Sequence, residues 1–288
     1  MTENISRVII TIRKYQSIGG IISMNPVIIR NTIIGEGRPK ICAPIVGHTM
    51  EEIKREAGAF ASVPVDVAEW RADYFEDVFE TAHLLEAAKV LREILGDMPL
   101  LFTFRTSNEG GEREISEEHY KTLLCTVAAS GHIDLVDVEI FMGEELSRQI
   151  IKDIHRYGVK VVGSNHDFHK TPPEEEIIRR LCVMQQMDAD ILKIALMPQT
   201  RRDVLTLLSA TLKMQEHYTD RPLVTMSMGG TGVISRLAGE CFGSALTFGA
   251  VSKASAPGQI DVQELSYILE TIHRSHDSII DKKPAEST

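Results

Sequence analysis

Residues 160–197 read KVVGSNHDFHKTPPEEEIIRRLCVMQQMDADILKIALM, and the pattern of this stretch indicates the fold class. Its two ends, Lys160–Phe168 and Ala189–Met197, are near-continuous apolar runs, which are typical of parallel strands covered on both faces. Between them Ile177 and Leu181 recur at helical spacing, so one face of a helix is predicted to pack inward. The stretch is therefore predicted to form one strand–helix–strand unit of a parallel sheet.

The helix of this unit also has a start signal. Thr171, Pro172, Pro173 and Glu174 supply an N-cap residue, prolines for the first helical positions and a capping-box acid. The helix is therefore predicted to begin directly after Thr171.

The same pattern repeats along the chain. Six more apolar runs occur, at Lys40–Gly47, Val65–Asp73, Pro99–Arg105, Ile133–Ile140, Arg221–Met228 and Ser244–Ser252. Helical patterns follow the runs, the last two at Gly232–Glu240 and Asp261–His273. Eight strands, each followed by a helix, are the count of an α/β fold of the (β/α)8 TIM barrel type, and a doubly wound sheet is the alternative.

The segments outside these repeats complete the predicted domain organisation. Val27–Ile34 and the turn Gly35-Glu36-Gly37 predict an N-terminal β-hairpin that closes the bottom of the barrel. Residues 1–25 are expected to be a disordered extension, residues 26–276 a single catalytic barrel domain, and residues 277–288 a polar C-terminal tail.

Composition excludes several partners and points to a compartment. The chain carries 41 Asp and Glu against 31 Lys and Arg, a formal net charge of −10. Because it lacks a basic stripe, neither nucleic acid nor an anionic membrane is an expected partner. No segment approaches the roughly 20 apolar residues of a membrane helix. The four cysteines are far apart and form no CxxC pair, which favours reduced thiols in a cytoplasmic protein: Cys42, Cys125, Cys182 and Cys241.

Lys193 is a charged residue in the middle of an apolar run. Its strand, Ala189–Met197, is expected to be buried, and burial disfavours the charged ammonium form. A neutral lysine amine is a nucleophile suited to imine formation with a ketone. A salt-bridged lysine, or one that extends to solvent, is the alternative.

His166 lies at the end of the neighbouring run, where the chemistry of a barrel is located. It can exchange protons near neutral pH, although a purely structural histidine fits the same pattern. A metal site that includes His169 is not favoured, because no matching third ligand motif is present. Glu109, in the loop after the third run, either orients a histidine or faces water.

Other charged residues are expected to point into the barrel. Glu69 and Arg71 are two apart and therefore face the same side of a strand, and Arg105 ends the third run. Such charges need either each other, as an internal salt bridge, or a polar ligand.

Two loops are further candidates. Gly229–Gly232, ahead of Ser235 and Arg236, either binds a phosphate or makes an ordinary turn. Ser252–Gln259 consists of small residues and is either a lid over the site or a surface loop.

Several motifs together carry a resemblance to a known family. They are Glu69-Trp70-Arg71; Phe102-Thr103-Phe104-Arg105 with Glu109-Gly110-Gly111; Ser164-Asn165-His166-Asp167-Phe168-His169-Lys170-Thr171-Pro172; Lys193-Ile194-Ala195 with Met197-Pro198; Gly232-Val233-Ile234-Ser235-Arg236; and Ala254-Ser255-Ala256-Pro257-Gly258-Gln259. From about residue 24 to residue 275 the chain closely resembles type I 3-dehydroquinate dehydratase.

The resemblance implies a cofactor-free lyase of the shikimate pathway of aromatic amino-acid biosynthesis. Such an enzyme converts 3-dehydroquinate to 3-dehydroshikimate and water, and it is usually a homodimer. By position, Lys193 would form a Schiff base with the C3 ketone. His166 would take the C2 proton and later return one to the departing C1 hydroxyl, and Glu109 would pair with that histidine.

The resemblance also assigns the residues that bind substrate. Arg236 would hold the carboxylate, and a further set would contact hydroxyls or close the site: Glu69, Arg71, Arg105, Ser255 and Gln259. The chain departs from the family pattern at Gly229-Gly230 and at Pro44, which affects local contacts rather than the imine chemistry.

Two other functions remain open at this level. A class I Schiff-base aldolase uses a lysine on a barrel strand in the same way, and its phosphate would occupy the Gly229–Gly232 turn. A non-catalytic sensor that binds dehydroquinate is the other, although a sensor needs neither Lys193 nor His166.

Overall fold

The computed structural model of the protein describes residues 24–251 and 255–280. Its strands are β1 (Val27–Ile29), β2 (Thr32–Ile34), β3 (Lys40–Ile45), β4 (Val67–Arg71), β5 (Leu100–Thr103), β6 (Leu135–Glu139), β7 (Lys160–Asp167), β8 (Ile191–Leu196), β9 (Leu223–Ser227), β10 (Leu246–Ala250) and β11 (Ile260–Asp261). Its α-helices are α1 (Met50–Ala59), α2 (Thr81–Leu95), α3 (Glu117–Ala129), α4 (Glu144–His155), α5 (Glu174–Gln186), α6 (Arg201–His217), α7 (Ile234–Leu237), α8 (Gly239–Phe242) and α9 (Val262–Ile280). The expectations for residues 1–23 and 281–288, and that for the loop Ser252–Gln259 at residues 252–254, lie outside the described residues.

Strands β3 to β10 form a closed parallel barrel. They neighbour one another in chain order, and β10 pairs with β3. Between β9 and β10 the sheet closes through the bridge of Leu223 with Ser244 and a 2.7 Å hydrogen bond from the Ala245 N–H to the Leu223 carbonyl. The predicted (β/α)8 barrel is therefore confirmed, because a doubly wound sheet would reverse its strand order.

The predicted hairpin is present at the N-terminal mouth of the barrel. Val27, Ile29 and Ile34 are buried in one apolar cluster with residues from all eight barrel strands, such as Val67. The hairpin turns at Arg30, whose φ is +50°, rather than at the predicted glycine turn. The Arg30 guanidinium lies 2.7 Å from Asp134, ahead of β6, and this ion pair ties the hairpin to the barrel.

Three details of the helices differ from the sequence predictions. Helix α5 begins at Glu174 with Pro173 as its N-cap, because the Thr171 hydroxyl instead donates to the Met197 carbonyl at 3.1 Å. The predicted helix Gly232–Glu240 is broken into α7 and α8. The chain before α7 packs closely against β9, since a Cβ on Gly232 would lie 2.2 Å from the Ser227 carbonyl oxygen. The last helix continues to residue 280, past the expected start of the tail at 277.

Two apolar layers surround the sheet. One cluster fills the space between the strands and the outer helices, and the second lies inside the barrel towards the hairpin. The charged inward-facing side chains lie beyond the inner cluster, towards the carboxyl ends of the strands. No helix in the described part of the chain is long and apolar enough to cross a membrane.

Candidate active site

A cavity of about 470 Å³, counting the solvent at its mouth, opens at the carboxyl ends of the barrel strands. Its lining includes eight of the nine residues that the sequence analysis assigned to the site: Glu69, Arg71, Arg105, Glu109, His166, Lys193, Ser255 and Gln259. Arg236 lies behind the wall. The wall also contains apolar residues that the sequence analysis did not single out: Phe168, Met226, Met228 and Phe248.

Lys193 points into this cavity from β8 and is only 4% exposed. Its Nζ lies 3.1 Å from Asp137 Oδ2 and 3.6 Å from Glu69 Oε1. The ring centroid of Phe248 is 4.5 Å from the same nitrogen. Two carboxylates and the face of an aromatic ring thus surround the amine, as the salt-bridged alternative expected. The salt bridge and the position in the cavity therefore occur together.

Asp137 is the site residue that the sequence analysis missed. Its carboxylate contacts Lys193, Arg105 at 2.9 Å and the Ser164 hydroxyl at 2.5 Å. Burial raises the pKa of Asp137, but Arg105 and Lys193 outweigh burial, so the pKa lies below its ordinary value. The available signal was the pair Asp137 and Glu139, two apart in an apolar run, in the same pattern as Glu69 and Arg71.

His166 and Glu109 form a directly bonded pair. Glu109 Oε2 lies 2.9 Å from His166 Nδ1 and accepts the His166 backbone N–H at 2.9 Å. The Glu109 Oε1 atom accepts the Asn165 amide at 2.9 Å. A carboxylate surrounded by N–H groups favours the tautomer in which His166 Nδ1 carries the proton, which leaves the Nε2 lone pair free to accept one.

The electrostatic surroundings act on this pair in opposite directions. Burial, and after it the cations Arg105, Lys193 and Arg71, hold the pKa of His166 well below its usual range. Burial also raises the pKa of Glu109, and Glu139 raises it further, while Arg105 and the Asn165 hydrogen bond lower it. His166 is therefore neutral and able to accept a proton at neutral pH.

The inward-facing charges do not pair as neighbours on one strand. Arg71 makes a two-pronged contact with Asp73, with both distances 2.8 Å. Glu69 accepts the Thr103 hydroxyl at 2.9 Å. Arg105 lies 2.9 Å from Glu139 in addition to its contact with Asp137. Internal salt bridges, one of the two alternatives, are therefore present, but they join Glu69 and Arg71 to Lys193 and Asp73 rather than to each other.

Arg236 is a buried cation without a carboxylate partner among the described residues. It is 1% exposed, and its Nη2 donates to the Pro257 carbonyl at 3.1 Å. Its Nη1 lies 3.5 Å from the sulfur of Met226, which lines the cavity, and its Nε has no hydrogen-bond acceptor in residues 24–251 and 255–280. Burial lowers the pKa of Arg236 to about 10. Such a group favours an anionic ligand close by.

The loop after β10 is fastened to the turn after β9. Gly229 N–H donates to the Pro257 carbonyl at 3.1 Å, so this backbone group of the turn is hydrogen-bonded within the protein. Gly258 has φ +81°, and a Cβ there would lie 2.6 Å from the Gly229 oxygen. Gln259 Oε1 accepts the Ser255 backbone N–H at 2.8 Å. The two residues assigned to hydroxyl contacts therefore bond to each other here.

The remaining candidates, His169 and Pro44, do not line the cavity. His169 is exposed. Pro44 lies in β3 in register with Glu69. Within residues 24–251 and 255–280, no group of three or more His, Cys, Asp or Glu side chains is arranged to hold a metal ion.

The chain is similar to a set of known enzymes. The family model Type I 3-dehydroquinase matches residues 41–276. The 3-dehydroquinate dehydratase of Salmonella agona (strain SL483) is 52% identical over 252 residues, which cover 88% of this chain and 100% of that protein. A solved type I 3-dehydroquinate dehydratase from Clostridium difficile, with covalently modified comenic acid, is 51% identical with a TM-score of 0.85, covering 88% of this chain and 99% of its own. The 3-dehydroquinate dehydratase of Geobacillus kaustophilus HTA426 is 38% identical, with the same TM-score of 0.85 and the same 88% and 99% coverage.

Proposed function

The chain belongs to the type I 3-dehydroquinase family, and we propose that it removes water from 3-dehydroquinate through a Schiff base on Lys193. The product is 3-dehydroshikimate, so the enzyme is a hydro-lyase of the shikimate pathway. The observation that supports this assignment is that Lys193 and His166 line one cavity from adjacent strands, where His166 is in register with Ala195. A nucleophile and a base thus face the same bound molecule.

The first step joins the amine to the C3 ketone. The ammonium must lose a proton before it attacks, and Asp137 Oδ2, at 3.1 Å, is the nearest acceptor. The carbinolamine hydroxyl then takes this proton back from Asp137 and leaves as water, which gives a protonated imine. Its positive nitrogen withdraws electrons from C2 and makes the C2–H bond acidic. In other enzymes a metal or another cofactor provides this electron withdrawal.

The second step is the elimination. Neutral His166 accepts the C2 proton at Nε2, and the electron pair moves towards the imine to give an enamine. The C1 hydroxyl then leaves as water with a proton returned from His166. Hydrolysis of the conjugated imine by water releases 3-dehydroshikimate and restores Lys193, so the sum is loss of one water from the substrate.

The charges around the cavity suit a polyhydroxylated anion. Glu69, Arg71 and Arg105 provide donors and acceptors for hydroxyl groups on one side. Arg236 provides the cation for the carboxylate from behind Met226, which requires this side chain and the Pro257 loop to adjust when substrate binds. Such binding would also offset the repulsion from a protein of net charge −10.

One experiment tests substrate, chemistry and nucleophile together. Protein mixed with 3-dehydroquinate is treated with borohydride, which reduces an imine to a stable amine, and the modified peptide is located by mass spectrometry. We expect the label on Lys193, with absorbance of the conjugated product appearing in the untreated sample. A label on another lysine, or product without any label, would contradict the assignment.

Arg236→Lys is expected to raise KM about tenfold and to change kcat less. The lysine keeps the charge but loses the planar pair of donors that fits a carboxylate. Steady-state kinetics measure the effect, and Arg221→Lys, at the opposite end of the barrel, is the control. An unchanged KM would exclude a two-pronged contact.

Gln259→Ala is expected to raise KM about tenfold, because we propose that Ser255 and Gln259 exchange their mutual bonds for substrate hydroxyls as the loop closes. Gln263→Ala, on the exposed face of α9, is the matched control. Substrate should also slow hydrogen exchange in the loop. Equal hydrogen-exchange rates in this loop with and without substrate would show that the loop only connects β10 to the next element.

We propose in addition that the protein acts in the cytoplasm as a homodimer, as the family resemblance implies. The four cysteines are free thiols, which suits a reducing compartment. Sedimentation equilibrium at micromolar concentration measures the oligomeric state, and a single species of about 32 kDa, the mass of one chain, would contradict the dimer.

A further inference from the structure

A chain of hydrogen bonds leads from the catalytic pair to the outside of the barrel. Asn165 is the neighbour of His166 on β7 and points to the opposite face of the strand, towards the helices. Its Nδ2 lies 2.9 Å from Glu109 Oε1. Its Oδ1 accepts Arg180 Nη1, on α5, at 2.9 Å. Arg180 in turn lies 2.9 Å from Glu176.

This chain fixes which way the Asn165 amide faces. A guanidinium only donates hydrogen bonds, so the atom that meets Arg180 must be the amide oxygen. The NH₂ group must therefore face Glu109, where it requires an acceptor. An ionised carboxylate meets that requirement, whereas a protonated one would carry a competing donor.

We propose that Arg180, acting through Asn165, is a positioning residue that favours the ionised form of Glu109 and thereby the proton-accepting tautomer of His166. Without Arg180 the Asn165 amide is free to turn its oxygen towards Glu109, which favours a protonated acid. Glu109 then stops directing the Nδ1 proton of His166. The inference rests on the proposed function only for its kinetic consequences, since the tautomer exists without substrate.

Charged groups around Glu109 both favour and oppose its ionisation, so a further hydrogen-bond donor affects the balance. Arg105 lies 3.6 Å from Glu109 and favours its ionised form. Glu139 and Asp137, on β6, oppose ionisation, as burial does. On the side that faces the helices, Arg180 is the cation of this hydrogen-bond chain, and the Asp167 carboxylate lies 3.9 Å from the Arg180 guanidinium. Because the pKa of Glu109 is raised above its ordinary value, the carboxylate forms at a higher pH than usual, and loss of the Asn165 donor moves it higher still.

The chain offers a matched control on the same helix. Arg179 also pairs with Glu176, at 2.6 Å, and within the described part of the chain its side chain hydrogen-bonds only to that residue. Arg180→Met keeps the apolar stem and removes the donors, and Arg179→Met does the same one residue earlier. Arg180→Met should lower kcat about tenfold with little change in KM, and move the ascending limb of the pH profile up by about 0.5 to 1 unit. Arg179→Met should match wild type within about twofold.

A double-variant comparison tests the path. Asn165→Ala should reproduce the effect of Arg180→Met, and the double variant should be no worse than either single one, because both interrupt the same chain. Multiplied effects in the double variant, or a pH profile of Arg180→Met equal to that of Arg179→Met, would overturn the proposal.

A substrate-free measurement separates this inference from the proposed function. Nitrogen-15 NMR of the histidine rings, with His166 assigned by its own substitution, reports which ring nitrogen carries the proton. The wild type should show the Nδ1–H form, and Arg180→Met a mixture of forms at the same pH. Unchanged ring signals in Arg180→Met would refute the inference, whereas a wild type inactive on 3-dehydroquinate would refute the proposed function alone.

Discussion

Lys193→Ala is expected to lower kcat/KM by about 10⁴-fold or more, because Lys193 is the only lysine among the described residues that line the cavity. Borohydride labelling with 3-dehydroquinate should disappear at the same time. Product formation followed by absorbance measures the first effect and mass spectrometry the second. Lys160→Ala, at the other end of the neighbouring strand, is the control and should keep its activity.

The same substitution has a stability consequence. It leaves Asp137 with Arg105 as its cation and removes the nearest cation from Glu69. We therefore expect a folded variant with a free energy of unfolding lower by about 1 to 3 kcal/mol, measured by urea titration. Activity of the folded variant within about tenfold of wild type would contradict the imine role.

His166→Ala is expected to lower kcat by about 10³-fold, because proton transfer by a positioned base contributes about 10²- to 10⁴-fold. Substrate should still be trapped on Lys193 by borohydride, since imine formation needs the lysine rather than the histidine. His169→Ala, three residues on and exposed, is the matched control. A variant that keeps kcat and loses only affinity would make His166 a binding residue.

Sequence patterns identified the strands because each of the eight runs carries its signal locally. A continuous apolar run reports burial on both faces, and a single lysine within it, as in Ala189–Met197, stands out without any knowledge of neighbours. The interrupted helix after β9 and the late start of α5 were not predicted. There the contacts to Ser227 and to the Met197 carbonyl, which come from other elements, override the local pattern.

The sequence by itself thus determined the barrel, its hairpin and the strand ends at which polar residues gather. Only the tertiary structure decided which charges meet. Lys193 and Asp137 are 56 residues apart, and their contact depends on how two strands with β7 between them are staggered. Alternation along a strand gives the side that a residue faces, but the partner across the barrel follows from strand register and tilt. For that reason the contact of Asp137 with Lys193, the Asn165–Arg180 chain and the position of Arg236 behind the cavity wall emerged from the fold alone.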